Sequence, residues 1–491
     1  MPHFLSLENH FEPFRNQIIG INQTFETPFG TKPLLYTDWT ASGRLYQPIE
    51  DKMATTFGPF VANTHTETTV SGTAMTLAYH KARNIIKKHV NAAENDVLIT
   101  SGTGMTGVIN KFQRILGLKI PESFKNKIEM NPKNRPIVFI SHMEHHSNQT
   151  TWLETMVDVE IIPADEQGLF CIENLKKLLE KYNNRTLKIA SITSCSNVTG
   201  IFTPYYEVAK LMHQNNGFCF VDFACSAPYI TIDMHPADAE SYLDAIFFSP
   251  HKFLGGPGTS GVLVFNKNLY KNQVPDCPGG GTVEWTNPWG EHQYISNIEL
   301  REDGGTPGFL QTIRTALAIQ VKEQMGVENI LQQEHELIDY VFSTLQKQSN
   351  IKILAPEHRN RLGVFSFYID DLHFNLGVKI LNDKFGIQTR GGCSCAGTYG
   401  HYLLNVDYKQ SHHVTQQISE GCLVEKPGWI RMSIHPTLTA EEITYVCESI
   451  IWLAQNHQTL AEEYVYNPKT NEFKHKNDQT NPEKTISQWF F

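Results

Sequence analysis

Lys252 closes the run "DAIFFSPHK" (244–252) and is followed at once by "FLGGPGTSG". Most lysines are solvated surface groups. One that follows an apolar strand directly, with glycines that let backbone approach closely, is a candidate for partial desolvation. An amine partly desolvated there would have a lowered pKa and be competent to form a Schiff base. Further groups with chemistry also stand just after apolar runs, the place where open α/β sheets bind ligands. After "DVLIT" (96–100) comes "SGTGMT", where Thr103 and Gly104 open a helical stretch whose backbone N–H groups can hold a phosphate. Clusters of this kind are more often plain turns. After "PIVFI" (136–140) comes "SHMEHHSNQT", with His142, His145 and His146. Three histidines on one loop without HExxH are a poor zinc site, so the choice lies between surface histidines and one imidazole lying flat on an aromatic ligand.

After "LKIASIT" (187–193), Asn197 offers a neutral hydrogen-bond donor, and "FCFVD" (218–222) ends in Asp222. An aspartate there commonly caps the next turn; its functional reading is to hold a protonated ring nitrogen. Ser249 and His251 complete the set beside Lys252. Taken in order, a phosphate cradle, an aromatic stacker, a hydroxyl partner, a ring-nitrogen partner and an amine describe a site for pyridoxal 5′-phosphate.

The elements that must position these groups are legible as alternation. Short apolar runs from about residue 95 to 265 suit strands buried on both faces. Between them, "CIENLKKLLEKYNN" (171–184) and "YEVAKLMHQNNG" (206–217) carry apolar residues at helical spacing. The fold class expected is α/β: a large, mainly parallel-sheet domain over 21–311 and a smaller α+β domain from 1–20 and 312–462, followed by a polar, loosely ordered tail over 463–491. Within the second domain, 312–348 reads as helix, 364–369 and 429–434 as strands, and 439–455 as a closing helix. Residues 273–308, with "PGGGTVEWTNPWG", read as a long ordered loop, because linkers seldom carry two tryptophans.

Composition narrows the partners. The 491 residues are 40% hydrophobic and 19% charged, and no apolar run approaches the ~18 residues that span a bilayer. A net charge of −10 without a basic block argues against nucleic acid. The start "MPHFLSLENHFEPFRNQ" lacks the pattern of a secretory signal, which makes a cytoplasmic address the expectation. The nine scattered cysteines read as reduced thiols rather than as a disulfide framework.

With these motifs in place, the chain resembles the class V aminotransferase group of fold type I pyridoxal-phosphate enzymes, and within it the cysteine desulfurases and selenocysteine lyases. "MEHHSN" and "FSPHK" are similar to that group's "MEHHAN" and "FSGHK"; "SNVTG" and "VDFACSAP" stand where it has "SNVLG" and "VDGAQAV". The resemblance implies that Lys252 is the Schiff-base lysine, Asp222 the pyridinium partner, His145 the stacked imidazole and Asn197 the donor to the ring hydroxyl. It gives the phosphate to Thr103, Gly104, Ser249 and His251, completed by Thr306 of "EDGGTPG" from a partner subunit, hence a homodimer. Arg431 takes the place of the arginine that holds the substrate carboxylate, a task suited to a two-pronged guanidinium.

In "TRGGCSCAG" (389–397) the resemblance places Cys395 on the cysteine that receives sulfur as a persulfide, with Arg390 supplying positive charge beside it. The implied reaction takes L-cysteine to L-alanine and hands the sulfur to an acceptor, which can be a protein. Three departures stand out: Cys393 makes a C-x-C, Cys225 replaces a glutamine, and His435 replaces an asparagine. Trp285 and Trp289 have no counterpart and would reshape the pocket for a larger substrate. The alternatives are a class V lyase, epimerase or aminotransferase acting on another amino acid, or a non-catalytic metal-binding or sulfur-carrier protein using the histidine loop and the C-x-C.

Overall fold

The computed structural model describes residues 4–125, 127 and 131–490. Seven of the apolar runs form one sheet: β1 Asp96–Ser101, β2 Ile137–Ser141, β3 Asp158–Ile162, β4 Lys188–Thr193, β5 Phe218–Asp222, β6 Ala245–Phe248 and β7 Gly261–Asn266. Their order across the sheet is β1-β7-β6-β5-β4-β2-β3. β7 runs antiparallel to both neighbours, and the other pairs are parallel. Residues of β2, β4 and β6 are buried throughout, as expected of strands covered on both faces.

Helices α1 Val70–His89, α2 Gly104–Ile115, α3 His146–Leu153, α4 Ile172–Lys181, α5 Tyr205–Gln214 and α6 Phe309–Met325 belong to the same unit. α2 drives Val108, Ile109 and Phe112 into a cluster with Val138, Phe220, Phe247 and Leu263 of the sheet. That packing fixes the start of α2 against the carboxyl ends of the strands. In α4 the buried pair Leu175 and Leu179, four residues apart, forms the stripe that the sequence pattern implies.

The chain divides into two compact units: Thr40–Asn197 with Ile201–Leu331, and Met1–Trp39 with Val198–Gly200 and Gln332–Phe491. The stretch read as one helix over 312–348 is two, α6 and α7 (Val327–Leu345), broken at Gly326, whose φ of 79° lies in the left-handed region. The second unit holds a four-stranded sheet of β8 Ile351–Ile353, β9 Val364–Ile369, β10 Arg390–Gly392 and β11 Trp429–Ser433, in the order β8-β9-β11-β10. Its helices are α8 Phe374–Phe385, α9 Gly397–Leu403, α10 Tyr408–Ser419 and α11 Ala440–Ala461. α11 begins with a capping box between Thr439 and Glu442.

Two segments carry more structure than their composition suggests. Within 273–308, Val283–Thr286 pairs with His292–Tyr294 as a hairpin. Beyond Glu462, Tyr464–Asn467 pairs with Glu472–His475, and Tyr464 is buried with its hydroxyl on Asp383 at 3.2 Å. Among the described residues, no helix is long and apolar enough to cross a membrane.

Candidate active site

Because β7 is antiparallel to β1, its first residue pairs with the last of β1, Gly261 with Ser101. This register brings the loop after β1 and the loop between β6 and β7 to one place, although they are far apart in sequence. Gly102 and Gly104 both have φ of 58°, a conformation that costs a side-chain-bearing residue ~1 kcal/mol or more. The Met105 N–H of the first turn of α2 donates to Ser249 Oγ at 2.8 Å. A Cβ on Gly261 would fall 2.0 Å from the Gly104 carbonyl oxygen, so the two loops touch backbone to backbone. Thr103 is exposed at the N-cap of α2 and makes no side-chain bond to the helix.

Lys252 ends a single helical turn, Pro250–Lys252, that follows β6. The neighbouring loop is held from the other side by residues that sequence reasoning left unassigned: Gly43 N–H donates to the His251 carbonyl at 2.8 Å, and Gly255 N–H to that of Arg44 at 2.7 Å. His251 Nδ1 lies 3.3 Å from Ser42 Oγ. Burial, with the Lys252 charge adding to it, pushes the His251 imidazole down to about 4. It is therefore neutral near pH 7.

Asp222 ends β5 and is 4% exposed. Burial pushes its carboxyl up to about 6, against the opposing pull of the Ala224 N–H and the Lys252 charge. Its side chain has one hydrogen bond among the described residues, from Ala224 N–H at 2.8 Å. A buried carboxylate with so little satisfaction calls for a further donor, ideally a cationic one. The protonated nitrogen of a pyridine ring meets that description, and a neutral His251, Ser249 Oγ and the first turn of α2 suit a phosphate. The residues present thus fit pyridoxal phosphate.

His145 is the N-cap of α3, and its Nδ1 accepts from Ser147 N–H at 3.1 Å, which leaves the proton of a neutral ring on Nε2. Ser147 Oγ meets Thr106 Oγ1 of α2 at 2.5 Å, tying the imidazole to that helix. His142 is buried with Nε2 on the Gly168 carbonyl at 3.0 Å, a structural role. Asn197 is 6% exposed in the loop after β4, and the Cys225 thiol donates to the Ser196 carbonyl at 3.6 Å. Thr306 is exposed on the loop before α6.

Glu144 escaped the sequence reading. It is 1% exposed, and its carboxylate accepts from Ser141 Oγ at 2.5 Å, Asn148 Nδ2 at 2.7 Å and Thr193 N–H at 2.8 Å. It thereby joins β2, β4 and α3 just before His145. Burial pushes it up to about 8 against those donors, with the Asp222 charge adding to the rise. The signal in the sequence is slight: an acidic residue three positions beyond the end of a buried strand.

The second unit carries the remaining expected residues. Arg431 on β11 is 3% exposed and pairs across the ladder with Arg390 on β10. Like charges placed directly opposite are unfavourable. Asp38, also missed in the sequence, relieves them: Arg431 Nη2 donates to Oδ1 at 2.7 Å and Arg390 Nε to Oδ2 at 2.9 Å. His435, beyond β11, stacks on Trp39 at 3.9 Å, and burial pushes it down to about 3. Cys395 is exposed and Cys393 half-buried, on a turn closed by Ala396 N–H on the Cys393 carbonyl at 3.0 Å. Both central residues, Ser394 and Cys395, have positive φ, 51° and 57°. That is the arrangement of a type I′ turn, which glycine and asparagine usually fill.

A mostly parallel seven-stranded sheet with lysine, carboxylate and imidazole at one end defines the fold type I class. The chain belongs to the aminotransferase class V family, a family of pyridoxal-phosphate enzymes, whose sequence profile matches residues 35–446. It is 28% identical over 373 residues to a probable cysteine desulfurase of Halalkalibacterium halodurans, covering 74% of this chain and 84% of the relative. A cysteine desulfurase of Haloferax volcanii is 26% identical over 371 residues, covering 74% of this chain and 81% of the relative. Among solved structures, the apo cysteine desulfurase of Thermococcus onnurineus shares the fold with a TM-score of 0.71 at 21% identity, covering 91% of this chain and 98% of that one. A cysteine desulfurase of Escherichia coli gives 0.70 at 19%, with the same coverage.

Proposed function

We propose that this chain is a pyridoxal-phosphate-dependent cysteine desulfurase that takes L-cysteine to L-alanine and leaves the sulfur on Cys395. The observation that carries the reaction subtype is the thiol of Cys395, exposed at the tip of a strained turn that follows directly from the arginine-bearing strand β10. A nucleophile that must meet a substrate and then an acceptor needs that exposure.

Lys252 would hold the cofactor covalently, Asp222 its ring nitrogen, His145 its ring face and Asn197 its hydroxyl; Ser249, His251, Thr103 and Gly104 would hold its phosphate, with Thr306 supplied by a second copy of the chain. Bound there, the cofactor supplies an electron sink that acidifies the α-carbon of an amino acid. With the cofactor bound, Lys252 Nζ would be the base that carries the α-proton. Arg431 takes the substrate carboxylate, and Asp38 holds its guanidinium by a bond from Nη2 to Oδ1. Cys395 Sγ, as thiolate, would bond to the substrate sulfur while the bond from that sulfur to the β-carbon breaks; the β-carbon keeps the electron pair and takes a proton to become the methyl group of alanine, and a persulfide stays on the protein. A cytoplasmic homodimer passing this sulfur to an acceptor completes the reading.

Reconstituted protein should be yellow, and Lys252→Ala should lose the lysine-linked visible absorption. Cys395→Ser should keep the colour while alanine and sulfide formation from cysteine falls more than about 100-fold. A colourless wild type overturns the cofactor assignment. Undiminished turnover in Cys395→Ser, or faster conversion of another amino acid, favours a class V lyase, epimerase or aminotransferase instead.

A further inference from the structure

The desulfurase reading uses one thiol of the C-x-C and leaves the other idle. Cys393 is the first residue of the turn whose third is Cys395, and Ala396 N–H closes that turn on the Cys393 carbonyl. Two residues span at most ~7 Å from Cα to Cα even when extended, and a turn shortens this. A disulfide needs about 4.4–6.8 Å, so the outer sulfur of a persulfide on Cys395, one bond further out, is within reach of Cys393.

The surroundings of the two thiols differ. Cys395 is exposed, whereas Cys393 lines a partly open pocket of about 160 Å3 beside α9, α10 and β11, whose apolar walls include Leu404, Val414, Ile418 and Trp429. Lys426 lies on the same lining and brings a positive charge to it. The cavity and the turn share Trp429, which is fully buried and donates from Nε1 to Ser394 Oγ at 3.2 Å. A recess whose walls are mainly apolar, with His401, Ser411 and Thr415 as its other polar groups, limits solvent around Cys393 and accepts a polarisable sulfur atom.

We propose that Cys393 is a second sulfur-carrying thiol, which takes the outer sulfur from Cys395 and keeps it at the mouth of this cavity. The proposal rests on persulfide formation at Cys395. The Cys393 thiolate attacks the outer sulfur; a Cys393 Sγ–S bond forms as the Cys395 Sγ–S bond breaks, and Cys395 leaves as a thiolate. The proton stays on the transferred sulfur, and no oxidant or reductant is consumed. Cys395 is then ready for another substrate while the first sulfur is sheltered.

The test is to locate the added sulfur in holoenzyme after turnover with cysteine, by trapping persulfides with an alkylating agent and sequencing the loop peptide by mass spectrometry, with alanine measured in parallel. The expected result is sulfur on Cys393 in wild type, on Cys395 in Cys393→Ser, and on neither in Cys395→Ser. Cyanide should strip the sulfur at least about fivefold more slowly from wild type than from Cys393→Ser, because the exposed site is the more reactive. Sulfur found solely on Cys395 in wild type overturns the proposal, as does a Cys393–Cys395 disulfide formed with release of sulfide. Should no alanine form, the desulfurase reading itself has failed. Holoenzyme loaded with inorganic polysulfide and freed of excess then decides the matter: sulfur settling on Cys393 supports the carrier role, and sulfur confined to Cys395 overturns it.

Discussion

Asp38 divides its two carboxylate oxygens between Arg431, 2.7 Å away, and Arg390, 2.9 Å away. The two bonds are not of equal weight. Arg431 is 3% exposed, so its partner neutralises a buried charge, whereas the side chain of Arg390 is about half exposed. Breaking a buried pair from one side costs about 3–5 kcal/mol, and an exposed one about 0–1. Asp38→Asn should therefore destabilise the protein by about 3 kcal/mol in urea unfolding and raise KM for the amino acid more than it lowers kcat. Arg390→Ala should shift the unfolding midpoint little. Equal shifts in the two variants would show that the grip on Arg431 is not what Asp38 provides.

Asp222 makes stability depend on pH in an unusual direction. Its carboxyl ordinarily titrates near 3.8, and in the folded chain near 6. Between these values the folded state binds more protons than the unfolded one, so stability falls as pH rises through the window. Above pH 6 the full cost of the buried charge, about 3 kcal/mol, is present; below pH 4 it is gone. In cofactor-free protein, Asp222→Asn should melt higher than wild type at pH 8, with the advantage fading toward pH 4, while its affinity for pyridoxal phosphate drops. A variant with no advantage at pH 8 would contradict the burial argument.

The close approach of Gly261 to Gly104 is testable without touching any reactive group. A methyl at position 261 would sit 2.0 Å from the Gly104 oxygen and 2.4 Å from its carbon, so the first turn of α2 must move. Gly261→Ala should weaken cofactor binding by roughly tenfold or more in an absorbance titration, about 1.4 kcal/mol. A Cβ on Gly280 meets nothing within 4 Å, and Gly280→Ala should bind as wild type does. Equal affinities in the two variants would remove Gly261 from the site.

The strands were legible because burial on both faces leaves uninterrupted apolar runs. "FCFVD", "AIFF" and "VFSFYI" coincide with strands end to end. The hairpin at 283–294 and the one beyond Glu462 were not, because their pairing depends on partners rather than on an apolar run; most residues of both are exposed or half-buried. The same contrast divides the site. Asp222 announces itself by ending an apolar strand, and Lys252 and His145 by following one within four residues. Asp38 and Glu144 draw their meaning from groups remote in the chain, Arg431 for one and Thr193 for the other, and a carboxylate read alone does not reveal which donors will converge on it. The break between α6 and α7 rested on a single glycine inside a continuous helical pattern, a residue that a helix can also tolerate.

The sheet order carries a consequence for how the molecule is made. β1 lies at the edge and touches the rest of the sheet through β7 alone, with Asp96 paired to Asn266. On the ribosome the first strand synthesised must wait for the last, roughly ten to thirty seconds at ordinary elongation rates. A nascent chain that already carries Asp222 and Lys252 still lacks the close approach of Gly261 to Gly104. That approach comes into being when β7 emerges and draws β1, with α2 behind it, into register.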